Sequence, residues 1–86
     1  MQKIIYIIES SVLGIKYLCQ AVKNRGCTPI VLTQLSNQEG DAKSQILNEN
    51  YIECDTTSII DITKAINNNI KTIRNYFLEG ILTLLD

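Results

Sequence analysis

Several short clusters of side chains in this chain have the types needed for chemistry. Glu9, Ser10 and Ser11 form the first, Thr33 and Gln34 the next, then Asp55, Thr56 and Thr57, then Arg74 and Asn75. Glu9 and Asp55 are the kind of carboxylate pair used by a cation site or for proton transfer. Arg74 offers the planar fork that grips a carboxylate or phosphate. The same residues also read as loop and capping groups, with Ser11 and Ser58 satisfying free helix N–H groups. The sequence leaves both readings open. The chain has no histidine. That removes Ser-His and Cys-His nucleophilic dyads and argues against the usual zinc sites.

These clusters matter because of the elements expected to carry them. Lys3 to Glu9 is apolar at consecutive positions and rich in β-branched residues, the pattern of a strand covered on both faces. A helix follows, capped by Ser10 or Ser11, with Val12, Ile15, Cys19 and Val22 at helical spacing and Leu18 beside them. Arg25-Gly26 is its stop signal. Thr28 to Thr33 is a second strand, with Pro29 tolerable near its start. Gln34 to Gly40 is a polar loop, and Asp41 to Asn48 reads as a short helix with Ala42, Ile46 and Leu47 as its apolar edge. Tyr51 to Asp55 is a third strand. Ser58 caps a helix whose apolar side is Ile59, Ile62 and Ile66, and Asn67-Asn68-Asn69 is expected to close it. Ile70 to Ile73 is expected as a fourth strand, and Asn75 to Leu85 as a last helix. Phe77, Leu78, Ile81, Leu82, Leu84 and Leu85 spread over more than one face of that helix, so it needs covering on two sides.

The resulting βαβαβαβα pattern, with connections too long for hairpins, predicts a single α/β domain over residues 1–86. It is a three-layer, Rossmann-like parallel sheet of about four strands, in the order 2-1-3-4 or similar. The clusters then gather at the carboxyl ends of the strands, where open parallel sheets bind ligands.

Composition sets further bounds. Eight basic and nine acidic residues leave a net charge of −1 with no basic stripe, which argues against a nucleic-acid partner. A hydrophobic share of 45% with 20% charged residues suits a globular domain rather than a disordered chain. At 86 residues, folding buries only roughly 60–65% of the unfolded surface, so association with another chain would help stability. Cys19, Cys27 and Cys54 are an odd set without CxxC spacing and suit reduced thiols in a cytoplasmic protein. The apolar run after Lys3 stops at Glu9 with no cleavage site behind it, so it is not read as a signal peptide. No segment reaches the ~20 apolar residues of a membrane span. The loop from Glu9 to Gly14 holds one glycine. It matches neither GxGxxG nor GxxxxGK[ST], which argues against dinucleotide binding and P-loop ATP hydrolysis.

The run IIYIIESSVLGIKYLCQAVKNRG, then TPIVLT, then YIECDTTSIIDITKAI resembles the N-terminal domain of ATP-grasp enzymes. That domain precedes the ATP-grasp fold in carboxylate–amine ligases and, more distantly, in biotin carboxylase and carbamoyl-phosphate synthase. Lys23-Asn24-Arg25-Gly26, Pro29 to Thr33 and Cys54-Asp55-Thr56 carry the likeness, and the tail Ile70 to Leu85 resembles the family's fourth strand and helix. The resemblance implies an N-terminal domain or truncated fragment of such a ligase, forming a wall of the substrate cleft and inactive alone. It implies no catalytic and no metal-binding residues in this chain. ATP and magnesium would belong to a full-length parent, held by a missing or separate ATP-grasp domain. It places Ser10, Ser11, Gly14, Thr33 and Asp55 nearest the substrate. The alternative is a stand-alone interaction module acting as a homodimer through the last helix. Asp55 also resembles the phosphoacceptor of a receiver domain, although Glu9-Ser10 is a poor acidic pair for one and no fifth strand is expected.

Overall fold

A strand with five consecutive large apolar residues needs strands on both sides and cover on both faces, and the fold supplies them. The structure, a computed structural model, describes residues 2–9, 15–34, 40, 43, 46, 49–72 and 76–84. Its elements run β1 (Gln2–Glu9), α1 (Ile15–Asn24), β2 (Thr28–Thr33), β3 (Tyr51–Glu53), α2 (Ile59–Thr72) and β4 (Tyr76–Leu84). Residues 43 and 46 are also helical, where a short helix was expected, and so is Gly40, which was expected to end the loop before it. The strands form one four-stranded sheet in the order β3-β2-β1-β4, with every pairing parallel.

Side-chain alternation on β1 divides the core into two layers. Ile5 and Ile7 face α1 and pack with Ile15, Cys19, Val22, Cys27, Val31 and Ile46. Ile4, Tyr6 and Ile8 face the other way, with Ile30 and Leu32, and meet Ile62, Ala65, Ile66 and Ile70 of α2. The sequence expectation of a three-layer α/β sheet therefore holds. So does the α1 stripe at Ile15, Cys19 and Val22, all buried. Val12 lies outside the described residues.

Local signals explain the joints. Helix α1 ends in a Schellman turn: the N–H of Cys27 donates to the carbonyl of Val22 at 3.2 Å, and that of Gly26 to Lys23 at 2.9 Å. Gly26 takes φ 77°, a left-handed conformation that favours glycine. Lys23 in this last turn pairs with Glu49 at 2.8 Å and ties the helix to the approach of β3. Pro29 sits in a central strand without cost. The N–H of Val31 donates to Asn50 on the β3 side at 2.8 Å. Two residues earlier, the nitrogen of Pro29 points the same way, but β3 starts pairing only at Val31↔Tyr51. The donor that proline lacks has no strand to serve there.

The carboxyl third corrects the sequence reading. Helix α2 does not close at Asn67-Asn68-Asn69. It continues to Thr72, so Ile70 is a helix residue packed on the core and not the start of a strand. Asn69 is held in place because the Tyr6 hydroxyl, buried under α2, donates to its Oδ1 at 2.8 Å. Satisfying a buried phenol outweighs the weak helix propensity of asparagine. Ile59, expected on the apolar side, is exposed, whereas Ile62 and Ile66 pack inward.

The expected last helix is instead the fourth strand, β4. An element apolar on all sides does not reveal its period. Tyr76, Phe77 and a mid-element Gly80 favour strand over helix. The expected strand order 2-1-3-4 is likewise replaced: β3 pairs with β2 alone, and β4 takes the place beside β1. A homodimer through a terminal helix loses its element.

The prediction from this core concerns Ile7, which is fully buried between α1 and the sheet. Ile7→Ala is expected to lower unfolding free energy by about 3 kcal/mol in urea titrations. Tyr17→Ala, at a position 79% exposed, is expected to change it by less than about 0.5 kcal/mol.

Candidate functional site

At the carboxyl edge of the sheet, β2 ends on Thr33 and β3 on Glu53. The chain remains paired one step further, since the N–H of Cys54 donates to the carbonyl of Thr33 at 3.0 Å. Asp55 then turns the chain. Its Oδ1 accepts from the backbone N–H of Thr57 at 2.9 Å and from the Thr57 hydroxyl at 2.5 Å, an Asx-type turn. The carbonyl of Asp55 accepts from Ser58 N–H at 3.1 Å. Ser58 caps α2 as expected: its Oγ accepts from the N–H of Asp61 at 3.2 Å. Thr56 is buried beneath this turn.

The two expected ligand-side residues that are described thus come to neighbouring strand ends. Thr33 is fully buried, and its Oγ1 has no hydrogen-bond partner among the described residues. Asp55 is partly exposed, with one carboxylate oxygen engaged by Thr57. The hydrogen bonds from the Thr57 hydroxyl and N–H hold its carboxyl below its ordinary range. Burial, then the carboxylates of Asp61 and Asp55, push the Cys54 thiol up. That keeps it protonated and a poor nucleophile near neutral pH. Ser10, Ser11, Gly14 and Arg74 lie outside the described residues.

The strand order also separates the two strands that carry Glu9 and Asp55. Glu9 ends β1 and Asp55 follows β3, and β2 runs between them. Two interstrand spacings separate those strands by about 10 Å. The receiver-like reading meets the same obstacle. In the flavodoxin-like order 2-1-3-4-5 the third strand lies beside the first, whereas here β3 is an edge strand. No group of three or more His, Cys, Asp or Glu side chains suited to a metal ion occurs among the described residues. No helix among them is long and apolar enough to cross a membrane.

A cavity of about 460 Å³ lies elsewhere, between α1 and β4, lined by Ile5, Leu18, Ala21, Val22, Arg25, Gly80 and Ile81. Because α1 runs antiparallel to the strands, Arg25 at its end places this groove toward the amino-terminal half of the sheet. It is therefore not the crevice at the strand ends. The groove was not foreseen from sequence. Its one signal is Leu18, apolar but off the main stripe of α1.

No family model matches the chain, and neither a curated protein nor a solved structure matches it.

Two outcomes are expected at the carboxyl edge. Thr33→Val keeps the shape and removes an unsatisfied hydroxyl, so unfolding free energy should rise by about 1–2 kcal/mol. A fall of similar size would mean that Oγ1 has a partner in solution. For Asp55, the depressed carboxyl contributes stability in full above its unfolded value and loses it as pH falls through the folded one. The urea-midpoint gap between wild type and Asp55→Asn should stay constant from about pH 7 to 5 and close below about pH 4. A gap independent of pH would remove the Asx turn as its source.

Proposed function

We propose that this chain is a wall-forming N-terminal domain of an ATP-grasp carboxylate–amine ligase, without phosphoryl-transfer chemistry of its own. The observation that carries the reading is the arrangement at the carboxyl edge. Thr33 presents a buried, unsatisfied hydroxyl. Asp55 stands at the next strand end with its carboxyl held ionised. Both positions belong to the PIVLT and CDT segments that carry the family resemblance. The order β3-β2-β1-β4 supports it too, because the strand order reverses at β1 and ligands of open α/β sheets bind outside the strand ends near such a reversal.

In this reading Thr33 and Asp55 orient substrate as hydrogen-bond partner and fixed negative charge, together with Ser10, Ser11 and Gly14 of the loop after β1. ATP and magnesium are held by a separate ATP-grasp domain. That domain forms the acyl phosphate that an amine then attacks.

Calorimetry with millimolar Mg-ATP tests the first half of the proposal: the 86-residue chain should give no saturable heat, and saturable binding would overturn it. Reading the coding region around this chain tests the other half. An ATP-grasp module encoded in frame or alongside is expected, and its lack there would equally sink the ligase reading.

A further inference from the structure

Helix α1 has an apolar flank that the sheet does not fully cover. Ile15, Cys19 and Val22 form its buried stripe. Leu18 beside them is half-buried, and Ala21 is exposed. Across from this flank runs β4, at the edge of the sheet. Gly80 of β4 is the register partner of Ile5, and Ile5 points into the α1 layer. Register partners on parallel strands point to the same face. Strand β4 therefore brings a glycine to the place where a side chain would reach toward Leu18 and Ala21. A Cβ at Gly80 would meet nothing within 4 Å. The cavity of about 460 Å³ lies over this glycine, with Ile5 and Val22 as its buried wall. Its size is within the roughly 300–1,000 Å³ of small-molecule sites, which combine an apolar lining with a few polar groups that fix orientation.

Arg25 is the one charged residue among the described residues of the lining. Its side chain is exposed and makes no ion pair among the described residues, the pair in that turn being Lys23–Glu49. Nor is Arg25 needed to cap its own helix. The carbonyl of Val22 accepts from the backbone N–H groups of Arg25 and Cys27, and that of Lys23 accepts from Gly26. A guanidinium is a planar fork of donors that matches a carboxylate with two parallel bonds. Beside an apolar groove it selects a molecule with an apolar body and a carboxylate at one end. A cationic ligand would be repelled there, and a neutral one would leave the guanidinium without a partner.

We propose that the groove between α1 and β4 binds a small carboxylic acid with an apolar body. Its carboxylate sits on Arg25, and its body lies over Gly80 against Leu18, Ala21 and Val22. The groove is not at the strand ends, so the proposal stands apart from the ligase reading.

Amide NMR spectra of the 86-residue chain test it, titrated with octanoate and in parallel with octanol. Octanoate should bind saturably, with a dissociation constant of about 1 mM or tighter for a ligand of this size. It should move the amides of residues 18–26 and of Gly80. Shifts only elsewhere, or none that saturate, would overturn the proposal. Octanol should bind about tenfold more weakly, the scale of one charge-assisted contact. Equal affinities would remove the carboxylate from the recognition and the proposal with it. Arg25→Gln should weaken octanoate by the same factor and leave octanol as it was; an unchanged octanoate affinity would be equally fatal. Gly80→Leu fills the groove from the β4 side. The space there is open, so the fold should persist by circular dichroism while both probes lose their site. Octanoate binding retained by the folded variant would put the ligand on another surface and overturn the proposal.

Discussion

The structure depends on the need to cover β1 completely. Ile4 to Ile8 are all buried, alternately under α1 and under α2. A strand of this kind cannot sit at an edge or face solvent, because either face would expose a continuous isoleucine surface. Parallel partners on both sides follow, and parallel partners require crossovers. The chain meets this by sending α1 over one face on the way to β2 and α2 over the other on the way to β4. Even the polar contacts serve it: the Tyr6 phenol, buried by the same requirement, finds Asn69 as acceptor and fixes α2 against the sheet.

How much of this was legible depended on whether a segment announced its own period. The first half did so. The continuous apolar run of β1, the stripe of Ile15, Cys19 and Val22, and the Arg25-Gly26 stop each have a local cause, and the structure keeps each of them. The second half did not. The asparagines at 67–69 look like a helix end, but what holds them helical is a tyrosine more than sixty residues earlier. Once α2 runs on to Thr72, the fourth strand has to come from Tyr76 to Leu84. Strand order is less legible still, because it depends on which neighbour β1 accepts and no single segment encodes that.

For the site, residue types could be read but not distances. Thr33 and Asp55 were recognisable as strand-end residues, and they do stand on adjacent ends. That β2 runs between β1, which ends on Glu9, and the strand before Asp55 is a consequence of topology alone. Asp55 also shows how one carboxylate can serve as both turn and candidate ligand group, since Thr57 engages one oxygen. The groove beside α1 left almost no trace in the sequence, because Ile5, Val22 and Ile81 are each unremarkable apolar residues until the fold brings them together.

Pro29 has a wider consequence. Its nitrogen faces the β3 side below the point where β3 begins, so β3 cannot grow toward its amino end with a full ladder. The two edges of the sheet are therefore unequal, three residues at β3 against nine at β4. A molecule with two receptive edges polymerises, and fibres are the usual result. A molecule with one such edge runs out of valence after a single encounter. By keeping β3 short, a proline in the sheet interior limits the length of ladder that this edge can offer.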